Sequence, residues 1–421
     1  MELREIDSES FDSFVYNNEK AHFMQTSSWG KVAMKRRQKI YHLALMDNEE
    51  IKATALVLEK KILYYSIFYC PRGFIINYQD EKILKVMVEE IKKFTKSHHG
   101  LYLRIDPDLI LHKLDNNAEV IDEDKDNLRL IDNLKALGAR HKGFTIRFAD
   151  SSNPRFTFRL NLDSDLDDIF NHFHPTTKNI LKRNNPYNLK IYKGSRQDVK
   201  DFYKTMEETS KRKEIVLEPY AFFDDFYTVL NEDGMSDIYI AKLDVLHLKK
   251  VYEQKEKDLL DELAICTSEN ASSRQKKKVN DLNDQIKKIQ KEAKLVADIK
   301  EDELVLSSVI TAKYKDKVWI VHGGNSDILQ FVNANYELYY QVIKDAKKEG
   351  YRWVDFFGAE GIVDKKSSLY GITLFKMRFG GDYDEFIGEF DFIVRPLMNK
   401  IILTLLNIRR KYYIRKAEKN K

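Results

Sequence analysis

The sequence predicts an α/β protein of two similar domains, and three observations carry this. The order strand, strand, strand, helix, strand occurs twice. At 421 residues the chain exceeds the usual size of a single core. A long helical segment interrupts only the second copy.

In the first copy, YHLALMDNEEIKATALVLEK at 41–60 reads as two strands around the turn-forming Asp47-Asn48, and a third follows near Tyr64–Tyr69 before Pro71-Arg72-Gly73. Residues 81–96 place Ile83, Leu84, Met87, Val88, Ile91 and Phe94 on one helical face. After Gly100, LYLRIDP reads as a buried strand ending at Asp106-Pro107. In the second copy, IYIAKLD (238–244), LVLSSVITAK (304–313) and VWIVHGG (318–324) are strands, Tyr336, Tyr339, Tyr340, Ile343 and Ala346 mark a helix, and WVDFFG (353–358) closes the unit. Each half is thus an antiparallel meander extended by a helical crossover.

The segment 245–299 falls where the first copy has only a tight turn. Val279, Leu282, Ile286, Ile289, Ala293 and Val296 keep a three-four spacing, and a less regular helix from Val245 to Ile265 precedes the polar loop SENASS, so an antiparallel helical hairpin is expected. From Pro396 a last helix carries Leu397, Ile401, Leu405, Ile408 and Tyr412 on one stripe and Ile402, Leu403, Leu406 and Tyr413 on another, with Arg409, Arg410, Lys411, Arg415 and Lys416 beside them. It reads equally as core packing with a basic tail or as a reversible interfacial anchor. The expected divisions are 1–148 for the first domain, 149–244 with 300–395 for the second, 245–299 for the arm and 396–421 for the basic helix.

Composition narrows the function. With 43% hydrophobic and 33% charged residues the chain is globular rather than disordered, and 71 basic against 67 acidic residues leave a net charge of +4 that does not point to nucleic acid. Cys70 and Cys266 lack a CxxC partner, which suggests neither zinc nor a disulfide framework and fits a reducing cytoplasm. No apolar run follows MELREIDSES and none reaches membrane-spanning length, so a chain neither exported nor membrane-spanning is expected, at most peripheral at the inner membrane face. P-loop, GxGxxG, HExxH and GxSxG patterns are missing. His172 and His174 stand without further clustered ligands, so no metal is assigned. Neither copy opens its helix on a glycine-rich turn of the kind that holds coenzyme A pyrophosphate, which argues against a small acyl-CoA donor.

QTSSW (25–29), CPRGFIINY (70–78), RIDPD (104–108), LGARHKGF (137–144), the arm, LYGITLFKMRFGG (369–381) and EFDFIVRPL (389–397) together resemble the Fem aminoacyltransferases over nearly the whole chain. The resemblance implies twin acetyltransferase-like (GNAT-type) domains, no cofactor, aminoacyl-tRNA as donor, and lipid II or UDP-MurNAc-pentapeptide as acceptor. An amine of the stem peptide or growing bridge would attack the aminoacyl ester through a tetrahedral oxyanion. Rival readings are a relative that modifies proteins from aminoacyl-tRNA and a catalytically silent scaffold of wall synthesis.

Such chemistry needs an amine base, alignment and positive charge at the oxyanion. The resemblance places Asp106 as the carboxylate relaying the amine proton, against the plain alternative of a turn aspartate before proline. It places Lys376 as a fixed cation at the tRNA end, against a solvated strand lysine; the neighbouring Phe375, Met377 and Phe379 suggest partial burial and hence an anionic partner. Arg212 is matched to precursor phosphates, with Lys211 and Lys213 blurring the assignment. Lys35 or Lys31, after Trp29, would supply a second phosphate contact, against the equal alternative of helix-surface lysines. Trp29, Tyr102, His322 and Phe375 complete the expected substrate site, while Arg274, Lys276, Lys277 and Lys278 at the arm's loop are read as tRNA-backbone contacts or as solvated surface. His322 and Glu218 depart from the family pattern, which carries tyrosine and arginine there.

Overall fold

The computed structural model describes residues 1–419. The chain opens with β1 (Glu2–Glu5) and continues through β2 (Lys39–Asp47), β3 (Glu50–Ile62) and β4 (Tyr65–Cys70), each antiparallel to its predecessor. Asn48, at φ 52°, makes the tight β2–β3 turn, a conformation asparagine tolerates better than branched residues. A helix over Glu81–Ser97, capped by Asp80 through a 2.9 Å bond from the Ile83 N–H, then crosses the sheet and delivers β5 (Gly100–Ile105) parallel to β4. Its buried face is Leu84, Met87, Val88 and Ile91, as the spacing predicts. Gly100 is needed at the crossover's foot, because a Cβ there would lie 2.5 Å from the Thr95 carbonyl oxygen.

Next come β6 (Ile110–Leu114), β7 (Val120–Glu123), β8 (Ala139–His141), β9 (Phe156–Asn161) and β10 (Lys190–Lys193). The second unit follows with β11 (Ile238–Asp244), β12 (Glu303–Tyr314), β13 (Lys317–Asn325), a crossover helix Ala334–Lys348 and β14 (Trp353–Asp355), which is again parallel to its predecessor. β15 (Asp382–Phe386) and β16 (Phe390–Ile393) complete a seven-stranded sheet, β1-β2-β3-β4-β5-β16-β8, and a nine-stranded sheet, β10-β11-β12-β13-β14-β9-β15-β6-β7.

The divisions expected at residues 148 and 395 do not match these sheets. β6 and β7 come from the first stretch but belong to the second sheet, while β16 comes from the second stretch and lies between β5 and β8 of the first. The chain passes between the sheets four times, after β5, β7, β8 and β15, and two of these passages meet. The chain leaves β5 through Asp106–Leu109 and returns from β15 through Ile387–Glu389, and the two connections touch where the Ile387 N–H donates to the Leu109 carbonyl at 3.0 Å. Phe390 and Phe392 are fully buried in the first core, so that core is incomplete without a strand almost 250 residues away, at 390–393.

Between β11 and β12 the chain forms helices Val245–Thr267 and Val279–Ala297, which run in opposite directions along each other. Tyr252 donates to Glu292, Gln290 to Glu256 at 2.7 Å and Lys278 to Glu262 at 3.1 Å, while Leu282, Ile286 and Val296 are buried. At the foot, the Val245 N–H bonds the Asp302 carbonyl at 2.9 Å and continues the β11–β12 ladder. The last helix spans Pro396–Lys419. Of its expected stripes, Leu397, Ile401, Leu405 and Ile408 are exposed and Ile402 is buried; the flank at Arg409, Arg410, Lys411, Arg415 and Lys416, with Tyr412 and Tyr413, lies outside the described side chains. No helix among the described residues is long and apolar enough to cross a membrane.

Because β16 completes the first core, a fragment of residues 1–148 should lack cooperative thermal unfolding by circular dichroism, whereas the full chain shows it. A cooperative transition in the fragment would contradict this account of the core.

Candidate active site

The second sheet opens a cavity where two parallel strands part. β13 pairs with β14 only over Lys317–Trp319, then runs on to Asn325 after β14 has ended at Asp355. A cavity of about 310 Å³ fills the divergence, walled by β13, the helix Val199–Lys213, the loop after β14 and the helix Tyr370–Met377.

Lys376 lies on that last helix and not on a strand, and it is 7% exposed. Its ammonium donates to the carbonyl oxygens of Phe357 and Gly358, the latter at 2.5 Å. The anionic partner expected for a buried lysine is thus replaced by two backbone dipoles. Burial pulls Lys376 down to about 7, with Asp355 opposing the shift through its charge. Gly358, at φ +76°, aims its carbonyl at the lysine, and a Cβ there would lie 2.4 Å from the Phe148 ring. Phe375 lines the same cavity and meets the Tyr336 and Tyr339 rings edge-on, at 4.8 and 4.7 Å between centroids.

His322 also lines the cavity, with its ring edge-on to Phe222, Phe223 and Phe226 at 5.7, 5.1 and 5.3 Å. Burial holds it down to about 4, so it is a neutral part of an apolar wall at neutral pH. Arg212 stands where this cavity meets a second, polar one of about 150 Å³. It forms an ion pair with Asp327 and donates to Thr209 Oγ1 at 3.3 Å. Lys213, beside it, is lowered by burial and by the Arg212 charge.

The other expected site residues lie elsewhere. Lys35 is exposed and is not part of the cavity wall, and Lys31 pairs with Asp233 at 3.4 Å. Just beyond Lys35, Arg36 pairs at 2.8 Å with Glu218, which lines the cavity, and sits 4.8 Å over the Phe222 ring. Trp29 packs against Phe23 and Phe226 and joins two hydrophobic clusters instead of facing the cavity. Tyr102 lies on β5 of the other sheet beneath the Arg104 guanidinium, 5.6 Å away. Arg274, Lys276, Lys277 and Lys278 are exposed at the turn between the arm helices, and none lines the cavity.

Asp106 is not in the cavity wall either. It sits at the sheet crossing, 3% exposed, and accepts bonds from the Arg72 N–H at 2.8 Å, Asn153 Nδ2 at 2.9 Å and the Tyr69 hydroxyl at 3.0 Å. Burial pushes it up to about 6 although the Arg72 guanidinium, 3.9 Å away, acts the other way. Its reach toward Lys376 is indirect. Arg72 donates to the Pro154 carbonyl at 2.8 Å, and Pro154 packs on Gly358, the residue whose carbonyl holds the lysine.

Sequence reasoning missed Arg36, Gly358 and Glu360. Glu360 is 5% exposed, lines the cavity and accepts from the Ser367 hydroxyl. The departure at Glu218 was the available signal for Arg36, since a carboxylate in place of a cation calls for a cation opposite.

A family model described as the FemAB family matches residues 6–406. Among curated proteins, a lipid II:glycine glycyltransferase of Staphylococcus epidermidis is 27% identical over 95% of this chain and 95% of its own length. The Staphylococcus haemolyticus protein of that name is 27% identical over 96% and 95%. Among solved structures, the crystal structure of FemX superposes with a TM-score of 0.74 at 25% identity, covering 96% of this chain and 100% of its own.

Two substitutions test this geometry. Gly358→Ala forces a side chain into a left-handed backbone against Phe148 and should lower stability by about 1–3 kcal/mol in urea unfolding. Asp106→Asn turns an amide donor toward donors already there and should cost about 1–3 kcal/mol. Midpoints unchanged from the parent would remove the roles assigned to Gly358 and Asp106.

Proposed function

This chain belongs to the FemAB family, and we propose that it transfers an amino acid from aminoacyl-tRNA to the peptide of a peptidoglycan precursor, with lipid II as acceptor. The observation that carries the reading is the buried ammonium of Lys376 at the wall of a large cavity with Arg212 at its edge. The names of the staphylococcal relatives make glycine the first amino acid to test and lipid II the first acceptor.

In this reading the acceptor amine attacks the aminoacyl ester carbonyl. A C–N bond forms, the oxygen of the tetrahedral intermediate carries the developing negative charge, and the C–O bond to the tRNA ribose then breaks. The amine gives up a proton and the departing ribose oxygen gains one. Lys376 faces the oxyanion as a cation held ready by two carbonyls, so little reorganisation is required as the charge develops. Its lowered pKa makes the bound anion itself a determinant of its protonation, because a negative partner favours the charged form. The apolar wall from His322 to Phe375 keeps water from an ester that would otherwise hydrolyse. Arg212 supplies a planar, permanently charged group for a phosphate, which must displace Asp327 to reach it. Arg36 with Glu218 takes the place assigned to Lys35, and Asp106 acts as a positioning residue through Arg72, Pro154 and Gly358.

The test incubates the purified protein with separately charged tRNAs and with lipid II or UDP-MurNAc-pentapeptide. Transfer of label to the peptide is expected, and no transfer from any charged tRNA would refute the proposal. Lys376→Met should lower kcat/KM by about 10²–10³-fold. The parent's kcat/KM should fall as pH rises through about 7, where Lys376 loses its proton. Stability moves the opposite way. The folded pKa lies below the unfolded value, so the unfolded chain binds more protons between them and the parent gains stability as pH rises above 7. The melting temperature of Lys376→Met relative to the parent should therefore be more favourable at pH 6 than at pH 9.

A further inference from the structure

We propose that one end of the first sheet, with the first turns of the C-terminal helix, docks on an anionic lipid surface. The inference goes beyond the transfer reading and stands without it. Strand register brings three features to this end. Ser66 of β4 pairs with Gly100 of β5, Tyr102 pairs with Ile393 of β16, and the Val394 N–H donates to the Leu101 carbonyl at 3.0 Å. The β3–β4 turn, the end of the first crossover helix and the start of the last helix are therefore neighbours, opposite the strand ends that carry Asp106.

Two of these features expose large apolar side chains. On the helix, Leu397, Ile401, Leu405 and Ile408 recur at helical spacing and are 71%, 43%, 52% and 60% exposed, while Ile402 holds the helix to the body at 5%. At the turn, Leu63 and Tyr64 are 73% and 92% exposed. Within these three segments the charge has one sign. Lys60, Lys61, Lys96 and Lys400 are exposed, and no carboxylate occurs in 60–66, 95–102 or 394–408. Beyond Ile408 the sequence adds Arg409, Arg410, Lys411, Arg415 and Lys416, with Glu418 the single acid.

This charge pattern selects the occupant. A second copy of the chain would bring the same cations face to face, which like-charge repulsion opposes. An anionic lipid surface takes apolar side chains below its headgroups and cations among its phosphates, and each group adds to reversible binding.

The full chain is tested by co-sedimentation with phosphatidylcholine vesicles with and without phosphatidylglycerol. Binding should be roughly tenfold or more tighter to the anionic vesicles and weaken with salt. The combined Leu397→Ser, Ile401→Ser and Leu405→Ser variant should reduce it at least about tenfold. Because changes on a helix can disturb folding, a second variant alters only the turn region, Lys60→Glu with Lys61→Glu and Tyr64→Ser, and should also weaken binding. Both are compared with the parent by thermal melting, which the turn variant should not change. No parental binding, equal binding to neutral vesicles, or parental binding by both variants would overturn the proposal. So would a parental dimer that the helix variant dissociates while vesicle binding stays unchanged, since a second copy would then cover the stripe.

Discussion

The rest of the structure depends on one crossing, where Asp106–Leu109 leaves the first sheet and Ile387–Glu389 returns to it. Neither sheet is complete without strands carried across at this point. A carboxylate buried here is costly unless its acceptor capacity is met, and Arg72, Asn153 and Tyr69 meet it for Asp106. The same crossing links the two halves mechanically, because Arg72 also grips Pro154, and Pro154 bounds the turn that holds Lys376. A carboxylate in the first half thereby bears on a lysine in the second without touching it.

The cavity follows from strand geometry and not from any special loop sequence. Parallel strands that pair over three residues and then part leave their faces unfilled, and rings from neighbouring helices line the gap. Placing an ammonium in that wall costs solvation that two carbonyls only partly restore, which is why Lys376 is pulled toward neutrality. A site that is poorly satisfied when empty gains more from an anion than one already neutralised. Arg212 differs, since Asp327 already partners it, and under the proposed function an incoming phosphate must compete. The two cations thus present different thresholds to a ligand.

Much of the architecture was legible in the chain. The strands of both meanders and both crossover helices follow their apolar periodicities. The site was legible only in part. Lys376, Arg212, His322 and Phe375 do converge on one cavity, but Trp29, Tyr102, Lys35 and the Arg274–Lys278 cluster do not line it. Trp29 misled because an indole near a candidate cation reads the same whether it faces a ligand or a core. Lys35 misled because it is the last residue of its helix and faces solvent, while Arg36, the capping residue just beyond it, reaches Glu218.

By itself the sequence determined the two meanders, the inserted helical segment and the family pattern of short motifs, since these rest on local periodicity and on order along the chain. Tertiary structure alone decided which strands exchange between sheets, which carboxylate partners which cation, and that Asp106 and Lys376 stand on different sides of a shared turn. Those outcomes depend on contacts between residues far apart in the chain, such as β5 with β16 or Arg36 with Glu218, and on the loss of water around them. Burial, which lowers the pKa of Lys376 and of His322, comes into being only when a helix packs over His322 and the loop after β14 packs against Lys376.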